Sequence, residues 1–143
     1  MRKFFVVPVL AFLLVFSGLA RAQGYNLVGI DEFKGWLEGK RSVHIVDIQP
    51  QKDFQKQHFA DSIQTRAFPL ESEEQLARLD KGVEAYTREQ RDVVIIFSQG
   101  KQGAERAFDY LKSKGIPTNR LFILTGGMAS WPYSDLLIKE GCG

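Results

Sequence analysis

The residues best placed to do chemistry lie in one short stretch, Ser98-Gln99-Gly100-Lys101-Gln102-Gly103, between the apolar run VVIIF and the segment AERAFDYL. A glycine-bearing loop that leads from a strand into a helix aims several main-chain N–H groups at one point, and the helix dipole adds positive potential there. That chemistry is the cradling of an anion, with Lys101 available to add charge. Two glycines in six residues are also common in ordinary strand-to-helix loops, so composition alone leaves both readings open. The loop is not a Walker motif, because no Gly-Lys-Ser/Thr ending occurs, and it lacks the three glycines of a dinucleotide fingerprint. Nor does Ser98 sit in a nucleophile elbow: position 96 is isoleucine, where that turn needs glycine.

Other reactive side chains are few. The chain holds two histidines, His44 and His58, and one cysteine, Cys142. His44 falls inside a predicted strand and His58 in a predicted loop, where structural or solvated roles are expected. These three residues are too few and too scattered for a zinc site. No metal and no cofactor are expected.

Alternating strands and helices must position the loop. DEFKGWLE (31–38) reads as a first helix, with Asp31 as its N-cap and Gly39 just past its end. VHIVDI (43–48) is a β-branched strand that stops at Gln49-Pro50, and a helical turn follows through Asp53 to Gln57. SIQTRAFPL holds one short strand. SEEQLARLDKGVEAY begins with Ser72 as a cap and carries Leu76 and Leu79 on one face. DVVIIF (92–97) is an uninterrupted apolar run, the pattern of a central strand covered on both sides. From Ala104 the apolar positions Ala107, Phe108 and Leu111 keep helical spacing until Gly115 and Pro117, and LFILT forms another buried strand. This order predicts an α/β domain with a parallel sheet between helical layers. Ligands of such sheets bind at the carboxyl ends of the strands, and residues 98–103 lie at one.

The 143 residues, 44% of them hydrophobic, suffice for one domain. MRKFF followed by VVPVLAFLLVFSGLA and Ala20-Arg21-Ala22 reads as a signal peptide over residues 1–22, leaving a mature domain over 23–143. Export, most simply to a bacterial periplasm, follows from that leader. The apolar run is short for a membrane span and contains Pro8 and Gly18, so no stable membrane insertion is expected after cleavage. The leader removes three of the 19 basic residues and none of the 17 acidic ones, which puts the mature chain at −1. No basic block remains to suggest nucleic acid. Cys142 stands alone, so no internal disulfide supports the fold.

The stretches HIVDIQPQKDFQKQHFADSI, VVIIFSQGKQGAERAFDYLKSKG and LFILTGGMASWP together resemble the rhodanese-like sulfurtransferases over about residues 25–132. Gly126, Gly127, Met128 and Trp131 make the last stretch the most specific. The resemblance implies a five-stranded, mainly parallel sheet flanked by helices, and an active-site loop that carries a persulfide on its opening cysteine. Here Ser98 occupies that position. An alcohol is not a sulfur acceptor, whereas a thiol at a helix N-terminus is readily ionised. Gly103 and the pair Ile48-Gln49 also stand where arginine is usual in the family. By the same resemblance Asp47 and His58 are structural residues that orient loops, and Trp131 belongs to the core.

Three readings follow. The first is an exported rhodanese-like domain without sulfurtransferase activity that binds a small sulfur-containing anion or an unidentified protein partner through residues 98–103. In the second, Cys142 supplies the sulfur-carrying thiol, because the segment after Trp131 is long enough to reach the loop. The third is an accessory subunit that uses the fold as an interaction surface, with Cys142 able to link two copies.

Overall fold

The computed structural model describes residues 24–140; the expected signal peptide and Cys142 lie outside the described residues. The chain runs β1 (Leu27–Val28), α1 (Ile30–Glu38), β2 (Val43–Asp47), α2 (Gln51–Lys56), β3 (His58–Phe59), β4 (Ile63–Gln64), α3 (Glu73–Ala77), α4 (Asp80–Arg88), β5 (Asp92–Ile96), α5 (Gln102–Ser113), β6 (Leu121–Leu124) and β7 (Leu137–Ile138). Three 3-10 turns, Thr118–Arg120, Met128–Ser130 and Ser134–Leu136, complete the order. Five strands pair in the order β1-β6-β5-β2-β4, and every neighbouring pair is parallel. A separate antiparallel ribbon joins β3 to β7.

The sequence of β5 explains why it lies in the centre. Val93, Val94, Ile95 and Ile96 are all fully buried, and their side chains alternate between two cores as strand geometry requires. Val93 and Ile95 pack with Val46, Ala104, Ala107, Phe108 and Leu111, under α5. Val94 and Ile96 pack with Ile45, Phe33, Phe59 and Trp131, under α1 and the β3–β7 ribbon. Trp131 is therefore a core residue, its ring set edge-on to those of Phe33 and Phe59. The helical spacing of Ala104, Ala107, Phe108 and Leu111 turns all four toward the sheet.

Three local expectations need correction. The N-cap of α1 is Gly29, two residues before the expected Asp31, and it makes no side-chain cap; the Asp31 carboxylate instead accepts the Tyr133 hydroxyl at 2.6 Å. His58 lies in strand β3, not in a loop, because the antiparallel partner Ile138 comes from the far end of the chain. The segment opened by Ser72 does form a capping box with Gln75, but it divides into α3 and α4. At the junction Leu79 and Gly82 bond to carbonyls three residues back, which tightens the backbone while Leu79 stays fully buried.

Gly82 places the α4 backbone directly on β2. A Cβ there would lie 2.9 Å from Cγ2 of Val46, a stiff β-branched side chain at the centre of the sheet. Overpacking of this kind costs about 1–3 kcal/mol, against roughly 1 kcal/mol gained in helix propensity. Gly82→Ala should therefore lower the free energy of unfolding by a net 1 kcal/mol or so, read as a lower urea midpoint. A midpoint that rises would mean that α4 can withdraw from Val46 at no cost.

Candidate functional site

The carboxyl edge of the sheet is assembled around Asp47. This side chain is fully buried at the end of β2, and its two oxygens accept the main-chain N–H of Gln49 at 2.8 Å and the Gln49 Nε2 at 3.0 Å. Its own carbonyl accepts both the N–H (3.0 Å) and the hydroxyl (2.8 Å) of Thr65, which fastens the chain leaving β4 to the end of β2. The chain therefore folds back sharply after Asp47 and Gln49 is buried with its amide held in one orientation. Nε2 also donates to the carbonyl of Gln57 at 3.2 Å, so Oε1 faces β5.

Ser98 meets Gln49 there. Its Oγ lies 2.9 Å from Oδ2 of Asp53 and 3.2 Å from Oε1 of Gln49. A hydroxyl carries one proton, and the shorter contact to the carboxylate is the stronger of the two. The proton is thus committed to α2, and Gln49 Oε1 retains acceptor capacity toward the cavity. Residues Gln49, Asp53, Lys56, Gln57, Ser98 and Met128 frame an open cavity of about 190 Å³.

Of the six loop residues, Ser98 and Gln99 line this cavity. Gly100 has φ +76°, a left-handed turn that suits glycine. Lys101 caps α5 by position only, and Gln102 and Gly103 already belong to its first turn. Gly103 is buried: a Cβ at this position would stand 3.2 Å from Phe68 and 3.5 Å from Ile48 and Leu70, so its role here is close packing. Among the described residues, no acceptor takes the main-chain N–H groups of residues 98–103. The loop therefore keeps free main-chain donors, with the Asp53 carboxylate close by.

The second wall is the segment after β6. Gly127 has φ +61° and ψ −163°, and a Cβ would come within 2.7 Å of the Phe97 carbonyl oxygen, so only glycine fits. That approach lets Met128 N–H donate to the Phe97 carbonyl at 2.7 Å and Ala129 N–H donate to the Ser98 carbonyl at 3.0 Å. Neither histidine reaches Ser98. His44 Nε2–H donates to the Glu89 carbonyl at 2.7 Å, from the amino-terminal half of β2. His58 is buried, stacks on Phe54 at 3.9 Å and donates from Nδ1 to the Phe54 carbonyl at 2.8 Å, holding α2 against β3. Among the described residues no group of three or more His, Cys, Asp and Glu side chains could hold a metal ion.

Asp53 and Gln49 were the residues that sequence reasoning missed as partners of Ser98. Asp53 was visible only as the start of a helical turn. The usable signal was its place in the turn that follows the strand neighbouring β5.

Burial raises the pKa of Asp47 from the ordinary 3.8 to about 6, although its two Gln49 donors and nearby His58 act in the opposite direction. Between those values the folded state holds a proton that the unfolded chain has released. Stability from this group is thus greatest below about pH 4, declines as pH rises, and is fully lost above pH 6, for a total of about 3 kcal/mol. Asp47→Asn should flatten this part of the profile, so the difference in thermal midpoint between variant and parent should change between pH 4 and 6. A constant difference would assign the proton elsewhere.

The rhodanese-like domain family model matches residues 30–133. Among solved structures the chain is similar to a yeast protein tyrosine phosphatase of the rhodanese family, at 18% identity and TM-score 0.59 over 76% of this chain and 86% of that one. It is similar to the As-Sb reductase of Leishmania major, at 18% identity and TM-score 0.60 over 81% and 86%. A rhodanese-like domain protein from Staphylococcus aureus gives 18% identity and TM-score 0.60 over 81% and 99%. At such identities the likeness is one of fold. No curated protein matches the chain in sequence. A parallel five-stranded sheet, a loop that passes from its central strand into α5, and a family match over most of the chain agree: the protein belongs to the rhodanese-like domain family.

Proposed function

We propose that this chain is an exported rhodanese-like binding domain that lacks thiosulfate sulfurtransferase activity and holds a small sulfur oxyanion at the loop of residues 98–103. The observation that carries the reading is the Ser98 hydroxyl, fixed by Asp53 and Gln49 at the mouth of an anion cradle. Sulfur transfer needs a thiolate that attacks the sulfane sulfur and keeps it as a persulfide. A hydroxyl hydrogen-bonded to a carboxylate remains an alcohol and forms no such adduct. The free N–H groups and the N-terminus of α5 still favour a negative ligand. Asp53 opposes it, which makes the binding weak. Export is supported by the leader-like residues 1–22.

A second reading has its own support. Glu140, two residues before Cys142, donates its N–H to the carbonyl of Gln55 at 3.1 Å, and its carboxylate lies 4.0 Å from His58 Nε2. The described end of the chain is thereby fastened to α2, the same helix whose Asp53 and Lys56 line the cavity. A thiol two residues further on can supply what Ser98 lacks.

One assay separates the two readings. Transfer of sulfur from thiosulfate to cyanide is measured for residues 23–143, for Ser98→Cys and for Cys142→Ser. An inactive parent with turnover gained in Ser98→Cys upholds the binding domain. Activity in the parent that disappears in Cys142→Ser overturns it in favour of the tail thiol. Asp53→Asn provides an independent check: removal of the opposing charge should tighten sulfate binding by about fivefold, read from the amide resonances of residues 98–103.

A further inference from the structure

A second cavity, of about 520 Å³, opens beside the edge strand β4 and is lined by Gln64, Thr65, Arg66, Arg78 and Lys81. It shares no residue with the cavity at Ser98. It is two strands away along the order β5-β2-β4, roughly 10 Å across the sheet edge. Three of its five lining residues are cationic and none is acidic.

The cations are held in place. Arg78 Nη1 donates to the Arg66 carbonyl at 2.8 Å, and Lys81 Nζ to the Gln64 carbonyl at 3.4 Å. Each of these bonds uses one donor of a group that has several. The remaining N–H groups of Arg78 and Lys81 stay close to the cavity with part of their side-chain freedom already lost, which lowers the entropy cost of engaging a ligand. Arg66 contributes from a left-handed backbone, φ +55°, a conformation that an arginine adopts only where its surroundings impose it. The Arg78 bond to its carbonyl is one of those constraints.

Neutralisation is slight. Among the described ion pairs neither Arg66 nor Lys81 takes part, and Arg78 meets only Glu74, at 3.5 Å. The Glu74 side chain is 85% exposed, so this pair contributes little. Asp80, next to Lys81, is occupied by the Tyr110 hydroxyl at 2.7 Å.

We propose that Arg66, Arg78 and Lys81 form a second anion site, for a doubly charged oxyanion group of the sulfate or phosphate type. Three convergent cations with no acid in the lining match a tetrahedral dianion better than a single carboxylate, because each can donate to a different oxygen. A free inorganic anion and a phosphate ester on a larger molecule share this chemistry.

The site is tested by following amide resonances of residues 64–66 and 78–81 during titration with inorganic sulfate, inorganic phosphate and phosphoserine, each against sodium chloride at equal ionic strength. Saturable shifts with the dianions are expected. Tighter binding of phosphoserine would identify an esterified group as the ligand, and equal binding a free anion. Arg66→Asn suits the left-handed backbone, and Lys81→Gln keeps a donor for the Gln64 carbonyl, so both should fold. Each should weaken binding about threefold to tenfold, and Glu74→Gln should strengthen it about twofold. Shifts no larger than those with chloride, or titrations unaltered in both variants, would overturn the proposal. Resonances of residues 98–103 report the Ser98 cavity separately, so the two sites stand or fall independently.

Discussion

The carboxyl edge of this sheet depends on one buried carboxylate. Asp47 is unexposed and has no cationic partner in hydrogen-bond contact; two donors of a single residue, Gln49, satisfy its oxygens. Removal of a carboxylate from water is costly unless donors replace the lost hydration, and two neutral donors replace it only in part. Its raised pKa is the sign of that incomplete compensation. What the arrangement secures is geometry. With the Gln49 amide held by Asp47 and Gln57, its Oε1 faces Ser98, and Asp53 completes the contact from the first turn of α2. The same residue holds the chain leaving β4 through Thr65. One end of β2 thus sets the positions of the segments on both of its sides.

Much of this was legible in the sequence because the chain is periodic where it is regular. The uninterrupted apolar run in DVVII marks a strand buried on both faces, and the stripe Ala104, Ala107, Phe108, Leu111 fixes which side of α5 is buried. Ser72 is the cap that its place before the helical segment suggests, and Gln75 completes it into a capping box. The two-residue strands β1, β3 and β7 were beyond reach, since a period of two cannot be read from two residues. Their pairing is decided by partners nearly a whole chain away, as Leu27 with Ile123 shows. The break between α3 and α4 also escapes a pattern argument, because Leu76, Leu79, Val83 and Tyr86 keep a helical stripe straight across it.

The candidate site divides along the same line. Glycines and the strand-to-helix order marked the loop, because those features are local. The Ser98–Asp53 contact spans 45 residues and the Ser98–Gln49 contact 49, and neither has a local trace. The loop was also drawn too long: Gln102 and Gly103 are helical, and Gly103 is closed off by Phe68 from the segment between β4 and α3. At Gly103 the chain uses the space for close packing.

The identity of residue 98 is nearly independent of the shape of the loop around it. The carbonyls of Phe97 and Ser98 are held by the N–H groups of Met128 and Ala129, an approach that Gly127 alone permits, and the turn at Gly100 is a backbone property. None of these contacts uses the side chain at 98. Exchange of a thiol for a hydroxyl there leaves these main-chain hydrogen bonds in place and alters only the side-chain contacts to Asp53 and Gln49. Asp53 completes the argument from the other side. Its carboxylate, 2.9 Å away, gives the Ser98 hydroxyl a well-matched acceptor. The surroundings of Ser98 are thus those of an alcohol that is held in place, while the backbone of the loop is set by main-chain contacts.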